Sequence, residues 1–119
     1  MEIGLNAVER MVVLGVLPQE SSIVTMRITR DLSAKVGISA DEYNEFGVFQ
    51  TEAGVQVGRD KDGKIVQKKL DAATAVKKIS FKDKELEVVL DAFKKLDDQK
   101  KIGPQQLFVY EKFDQKKEG

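Results

Sequence analysis

Asp83-Lys84-Glu85-Leu86-Glu87-Val88-Val89-Leu90-Asp91-Ala92-Phe93-Lys94-Lys95-Leu96 is the stretch whose periodicity decides the fold. Leu86, Val89, Leu90, Phe93 and Leu96 recur at the spacing that places them on one face of an α-helix. Glu85, Glu87 and Asp91 sit in its first half, and Lys94 and Lys95 follow, the order that the helix macrodipole favours. Asp83 is the expected N-cap. A helix with so clean an apolar face must bury it, and the flanking sequence has to supply the surface.

Upstream, Asn6-Ala7-Val8-Glu9 fits a capping box and opens a helix that should stop before Pro18. Val8, Met11, Val12 and Val16 form its expected stripe, widened by Val13, Leu14 and Leu17, so the helix is apolar on most sides and belongs at the centre of a core. Ser21 or Ser22 caps a second helix with a seam of Val24, Ile28, Leu32 and Val36, an Arg27–Asp31 pair on its flank, and Gly37 beyond its end. Ser39-Ala40-Asp41-Glu42 is a second capping box, opening a short third helix with Tyr43 and Phe46 that ends at Gly47.

From Val48 to Val57 the sequence becomes β-prone, with a turn expected at Ala53-Gly54. Arg59-Asp60-Lys61-Asp62-Gly63-Lys64 is the strongest turn signal in the chain, and Ile65 to Leu70 reads as the returning strand. Val76 to Phe81 reads as a further strand with Ile79 and Phe81 on one face. Downstream of the decisive helix, Gly103-Pro104 breaks the chain, and Pro104 suits the first turn of a last helix that offers Leu107, Phe108, Tyr110 and Phe113. Asp114 to Gly119 reads as a frayed polar tail. The expectation is one α+β domain over residues 1–119: an N-terminal three-helix segment, a small antiparallel β-sheet in winged-helix-like order, and two C-terminal helices.

Composition narrows the chemistry. The 119 residues include no His and no Cys, which removes zinc, copper and Fe–S sites built on those ligands, thiol nucleophiles, His bases and disulfides. Any catalysis would rest on carboxylates, Lys, Tyr or a hard metal held by oxygens. The longest apolar run, Met11 to Leu17, is far short of a membrane span, and no small-residue cleavage site follows it, so it reads as a buried helix rather than a signal segment.

Leu17-Pro18, Glu20, Thr25, Ile28 and Arg30-Asp31-Leu32, followed by Glu42, Glu45-Phe46, the Leu90 to Leu96 helix and Tyr110-Glu111-Lys112-Phe113, give the chain a resemblance spanning nearly its whole length. It resembles a family of small uncharacterised proteins encoded by bacteriophages and prophages. That resemblance implies an accessory or host-modulating protein acting in a bacterial cytoplasm, and it brings no catalytic residues.

Charge is unevenly distributed although the whole chain nets zero. Residues 1–58 carry 4 basic and 8 acidic side chains, whereas residues 59–84 carry Arg59 and eight lysines against four aspartates. Lys64, Lys68, Lys69, Lys77 and Lys78 are the candidate partner-binding residues, on an expected basic sheet face. The plainer reading of the same lysines is an edge protected from strand pairing. Three helices followed by a hairpin suggest a winged helix that reads DNA, but the third helix carries Asp41, Glu42 and Glu45 and no basic residue, which disfavours phosphate. Asp60-x-Asp62-Gly63 has half the look of a calcium loop, yet Gly58 and Lys69 fall where acidic ligands belong, so it reads as a solvated turn. Ser21-Ser22 with Arg27 and Arg30 lacks the Gly-rich loop of a phosphate site. The sequence therefore leads to a non-enzymatic protein-interaction module without metal, cofactor or membrane, with a protein partner, homo-oligomerisation left open, and a winged-helix-like nucleic-acid binder as the alternative.

Overall fold

Asn6 and Glu9 close their capping box as the spacing requires: the Asn6 side chain accepts from the Glu9 amide and the Glu9 carboxylate accepts from the Asn6 amide, each at 2.9 Å. The computed structural model describes residues 1–52 and 54–118, with side chains described as far as Asp114. Its elements run β1 (Glu2–Leu5), α1 (Ala7–Val16), α2 (Ile23–Val36), α3 (Ala40–Glu45), β2 (Phe49–Thr51), β3 (Gly54–Gln56), α4 (Gln67–Thr74), β4 (Lys77–Ser80), α5 (Asp83–Asp98) and α6 (Pro104–Glu118). The fold is α+β, with helices towards both ends and two small antiparallel sheets among the described residues.

The sheets are not arranged as the sequence suggested. β4 pairs with β1, a strand not foreseen, in the register Glu2↔Ser80, Ile3↔Ile79, Gly4↔Lys78 and Leu5↔Lys77. The pairing buries Ile3, Leu5 and Ile79 on one face, continued by buried Phe81. The β2–β3 hairpin stands as a separate sheet, and Ala53 of its expected turn lies outside the described residues.

Ile65 to Leu70 is not a returning strand. The turn closes with a single Arg59↔Ile65 bridge, and the chain then enters α4. Beyond Val66, Gln67-Lys68-Lys69-Leu70-Asp71-Ala72-Ala73 is a run of residues mostly strong in helix propensity, with no β-branched member, which favours helix over strand.

α1 is central, touching β1, α2, α4, α5 and α6. Its buried side is Ala7, Glu9, Arg10 and Val13, however, while Val8, Met11, Val12 and Val16 of the expected stripe are only partly covered. An all-round apolar helix gives periodicity no face to choose. In α2, Leu32 and Val36 are buried as expected, but Val24 is 64% exposed, because the first turn of α2 projects past the core. Arg30, not Arg27, meets Asp31, at 3.6 Å on the exposed surface. Lys82 occupies the N-cap position of α5, with Asp83 its first residue, and the Glu85 carboxylate accepts from the Lys82 amide at 2.8 Å. α6 begins at Pro104 and buries Val109 and Phe113, whereas Leu107 and Phe108 lie outside the core. α6 runs to Glu118, so the expected polar tail continues the helix, and Gly119 lies outside the described residues.

Phe81 and Phe113 meet edge to face with centroids 5.2 Å apart, and Phe93 and Tyr110 do so at 5.7 Å. These pairs hold α6 against α5 and against the residue that follows β4.

Three polar clamps hold the helices around this core. Arg10, almost wholly buried, donates from Nε to the Val36 carbonyl at 3.0 Å and from Nη2 to the Gly37 carbonyl, closing the C-terminal end of α2. The same guanidinium grips both oxygens of Glu42, at 2.8 and 3.1 Å. Glu42 is in turn the N3 residue of the Ser39 capping box that opens α3. Lys112 of α6 reaches Glu9 at 2.7 Å and the Gly4 carbonyl at 3.0 Å. Lys35 of α2 reaches Glu85 at 2.7 Å and the Ser80 carbonyl at 3.1 Å.

Two tests follow from this packing. Phe93 is 1% exposed, so Phe93→Ala should lower stability by about 3–5 kcal/mol, whereas Lys95→Ala on the outer face should cost well under ~1 kcal/mol; equal melting temperatures would contradict the packing. The second concerns acid. The hydrogen bonds from Arg10 lower the Glu42 pKa from 4.5 to about 2, against the opposing effect of burial and with help from the Ser39 amide. The folded state thus holds this carboxylate ionised more strongly than the unfolded chain does. Its contribution is complete above pH 4.5 and drains away as the pH falls towards 2. Urea titrations from pH 6 to pH 2 should show the loss, and Glu42→Gln should be less stable at pH 6 with a flatter decline over that range.

Candidate functional site

Gly47 adopts φ +60°, the left-handed conformation that ends α3, and it brings the chain against the 59–64 turn. Its carbonyl accepts from the Arg59 amide at 3.0 Å, and the Gly58 amide donates to the Phe46 carbonyl at 2.7 Å. A β-carbon at Gly47 would collide with the Arg59 backbone and crowd the Lys69 side chain. The turn itself is fixed by Asp60, whose Oδ1 accepts from the amides of Asp62 and Lys64, each at 2.9 Å. These contacts form a cleft of about 330 Å³ between α3, the turn and α4, bordered by Tyr43, Asn44, Arg59, Asp60, Lys61 and Lys69.

Three cations therefore face one carboxylate, and that carboxylate already accepts two backbone hydrogen bonds. Neither Lys61 nor Lys69 makes an ion pair among the described residues. Arg59 donates from Nη1 to the Gly63 carbonyl at 3.3 Å, while its buried Nε has no hydrogen-bond partner among the described residues. Tyr43 is half exposed at the rim and presents a ring and a hydroxyl. This arrangement can receive an anionic group and pack an aliphatic or planar group against the tyrosine.

The five lysines singled out from sequence do not share a sheet face. Lys64 lies at the end of the turn, Lys68 and Lys69 on α4, and Lys77 and Lys78 on β4. Successive strand positions point to opposite sides, so Lys77 and Lys78 diverge. Lys77 is near enough to Glu42 to help hold that carboxylate ionised. Of the five, only Lys69 borders the cleft, where it is joined by Arg59, Lys61 and Tyr43. The sequence offered the cations of the turn as a signal, but only the docking of α4 on α3 brings Tyr43 to them.

Two other features bear on chemistry. A larger cleft of about 490 Å³ between α5 and α6 has Leu90, Ile102 and Leu107 in its lining and Asp91, Asp97 and Asp114 around it. Among the described residues no group of three or more acidic side chains converges in a way that could hold a metal ion. No helix among them is long and apolar enough to cross a membrane.

No family model, curated protein or solved structure matches the chain.

The geometry of Gly47 generates a test of how the cleft is built. Gly47→Ala forces a β-carbon into the Arg59 backbone at a positive φ and should cost more than about 2 kcal/mol. Lys69→Ala should change stability by less than ~0.5 kcal/mol. Urea unfolding of the two variants checks both, and a neutral Gly47→Ala would mean that the turn and α3 do not meet as described.

Proposed function

We propose that this protein is a non-enzymatic interaction module that docks an acidic segment of a protein partner in the cleft between α3, the 59–64 turn and α4. The observation that carries the proposal is the convergence of Arg59, Lys61 and Lys69 beside the half-exposed ring of Tyr43. Carboxylates of the partner would meet Lys61 and Lys69, and Tyr43 would cover the apolar part of the segment. Tyrosine and arginine are the residue types on which interface energy tends to concentrate. The resemblance to small phage and prophage proteins is in keeping with a bacterial host protein as that partner.

Duplex nucleic acid fits the same surroundings less well. α3 borders the cleft and carries Asp41, Glu42 and Glu45 over its six residues, so a phosphate backbone laid along it would meet like charge. A short acidic peptide need occupy only the Arg59, Lys61 and Lys69 side of the cleft.

Fluorescence anisotropy with a labelled Asp/Glu-rich dodecapeptide, beside a random DNA duplex carrying the same label, tests the proposal. The peptide should bind at about 0.15 M salt and weaken at least tenfold in the Lys61→Glu/Lys69→Glu double variant. The duplex should show no measurable binding there. Tighter binding of the duplex, with a log–log salt slope of roughly −0.9 per phosphate contact, would establish the winged-helix-like alternative instead.

A further inference from the structure

α5 and α6 are joined by residues 99–103 alone, so they run as antiparallel neighbours, with Phe93 of one against Tyr110 of the other. The groove of about 490 Å³ between them has an apolar floor. Leu90, Ile102 and Tyr110 pack on the core beneath and are only partly buried, and Leu107, outside the core, is 48% exposed. The lining repeats at helical spacing on both walls, Leu90, Lys94 and Asp97 on α5 and Leu107, Tyr110 and Asp114 on α6. The groove therefore follows the two helices for about two turns.

Its acids stand at both ends. With Phe93 opposite Tyr110, Asp97 lies at the end nearer the connection, and Asp91 and Asp114 lie at the other. Asp91 and Asp97 are separated by about 9 Å along α5. None of the three aspartates makes an ion pair among the described residues, and Lys94 on the same wall makes none either. Asp97 is also placed against its own helix, in the last turn of α5, where the dipole favours cations.

We infer that this groove docks a basic amphipathic helix of a partner protein, its apolar face on the floor and its Lys or Arg side chains reaching the aspartates at the two ends. Charge and length select that occupant. An acidic segment, a nucleic acid or the same groove of a second copy would meet like charge. A small organic cation satisfies one end only, whereas residues seven apart on one helix face project cations about 10 Å apart, close to the span from Asp91 to Asp97. The inference is independent of the acidic-segment cleft, which lies around α3 and α4.

Fluorescence anisotropy of the full chain with a labelled helical tetradecapeptide of Leu, Ala and Lys tests it, with the leucines on one face and the lysines seven apart. The peptide should bind with a Kd of about 1–100 µM at about 0.15 M salt, and a scramble of the same composition at least ~tenfold more weakly. The Asp91→Lys/Asp97→Lys double variant should weaken the ordered peptide at least ~tenfold, and Leu107→Gln at least ~threefold. Glu20→Lys/Glu87→Lys makes the same change in net charge at exposed positions outside the groove and should leave the affinity within about twofold. Equal binding of the scramble, or equal loss in the two double variants, would reduce the effect to bulk charge and overturn the inference. The absence of measurable binding would overturn it too. So would n-octylammonium bound as tightly as the peptide, which assigns the groove to a small cation, or self-association of the wild type abolished in the Asp91→Lys/Asp97→Lys variant, which assigns it to a second copy.

Discussion

Arg10 is the group on which the helical arrangement depends. Its guanidinium is nearly inaccessible to water, and four hydrogen bonds leave it to the last turn of α2 and the first turn of α3. An unpaired charge in that position would carry a desolvation cost of several kcal/mol, so the conformation that satisfies it is strongly preferred over any that does not. The clamp therefore contributes specificity more than net stability. It fixes how α3 leaves α2, and the placement of α3 fixes where Tyr43 and Gly47 stand relative to the basic turn.

The same device recurs twice. In each clamp a glutamate three residues into a helix accepts from the backbone at the helix start, and a cation from another part of the chain completes it. Glu9 takes Lys112, Glu42 takes Arg10 and Glu85 takes Lys35. For Glu85, burial works against ionisation, but the Lys35 ammonium and the Lys82 amide outweigh it and lower the pKa. Each cation also donates to a backbone carbonyl, so the pairs tie strand and helix ends together rather than floating on the surface. With no disulfide available to staple the chain, these clamps and the edge-to-face aromatic pairs set the relative positions of helices that apolar packing alone would hold loosely.

Local chemistry was legible in the sequence where it acted within a few residues. The boxes at Asn6 and Ser39, the stop at Gly47, the start at Pro104 and the buried face of the decisive helix all depend on neighbours within one or two turns. What could not be read depends on distance. Arg10 and Glu42 are 32 positions apart and Lys35 and Glu85 are 50, and no local pattern announces either pair. β1 is four residues long and becomes a strand only because β4 arrives to pair with it. Ile65 to Leu70 misled because a turn signal between two β-tolerant segments implies a hairpin, whereas the run from Gln67 to Ala73 favours a helix. The candidate site followed the same division: the cations were visible as a charge cluster, but Lys69 and Tyr43 share a cleft only through the packing of α4 on α3.

The Arg10–Glu42 pair sets the geometry of α1, α2 and α3. A double-mutant cycle tests it most directly, with Arg10→Met, Glu42→Gln and both together compared by urea unfolding at pH 6. Each single change should be severe, the double variant should be far less destabilised than the sum of the two, and the coupling should amount to at least about 2 kcal/mol. Additive effects, with a coupling of under ~0.5 kcal/mol, would contradict it.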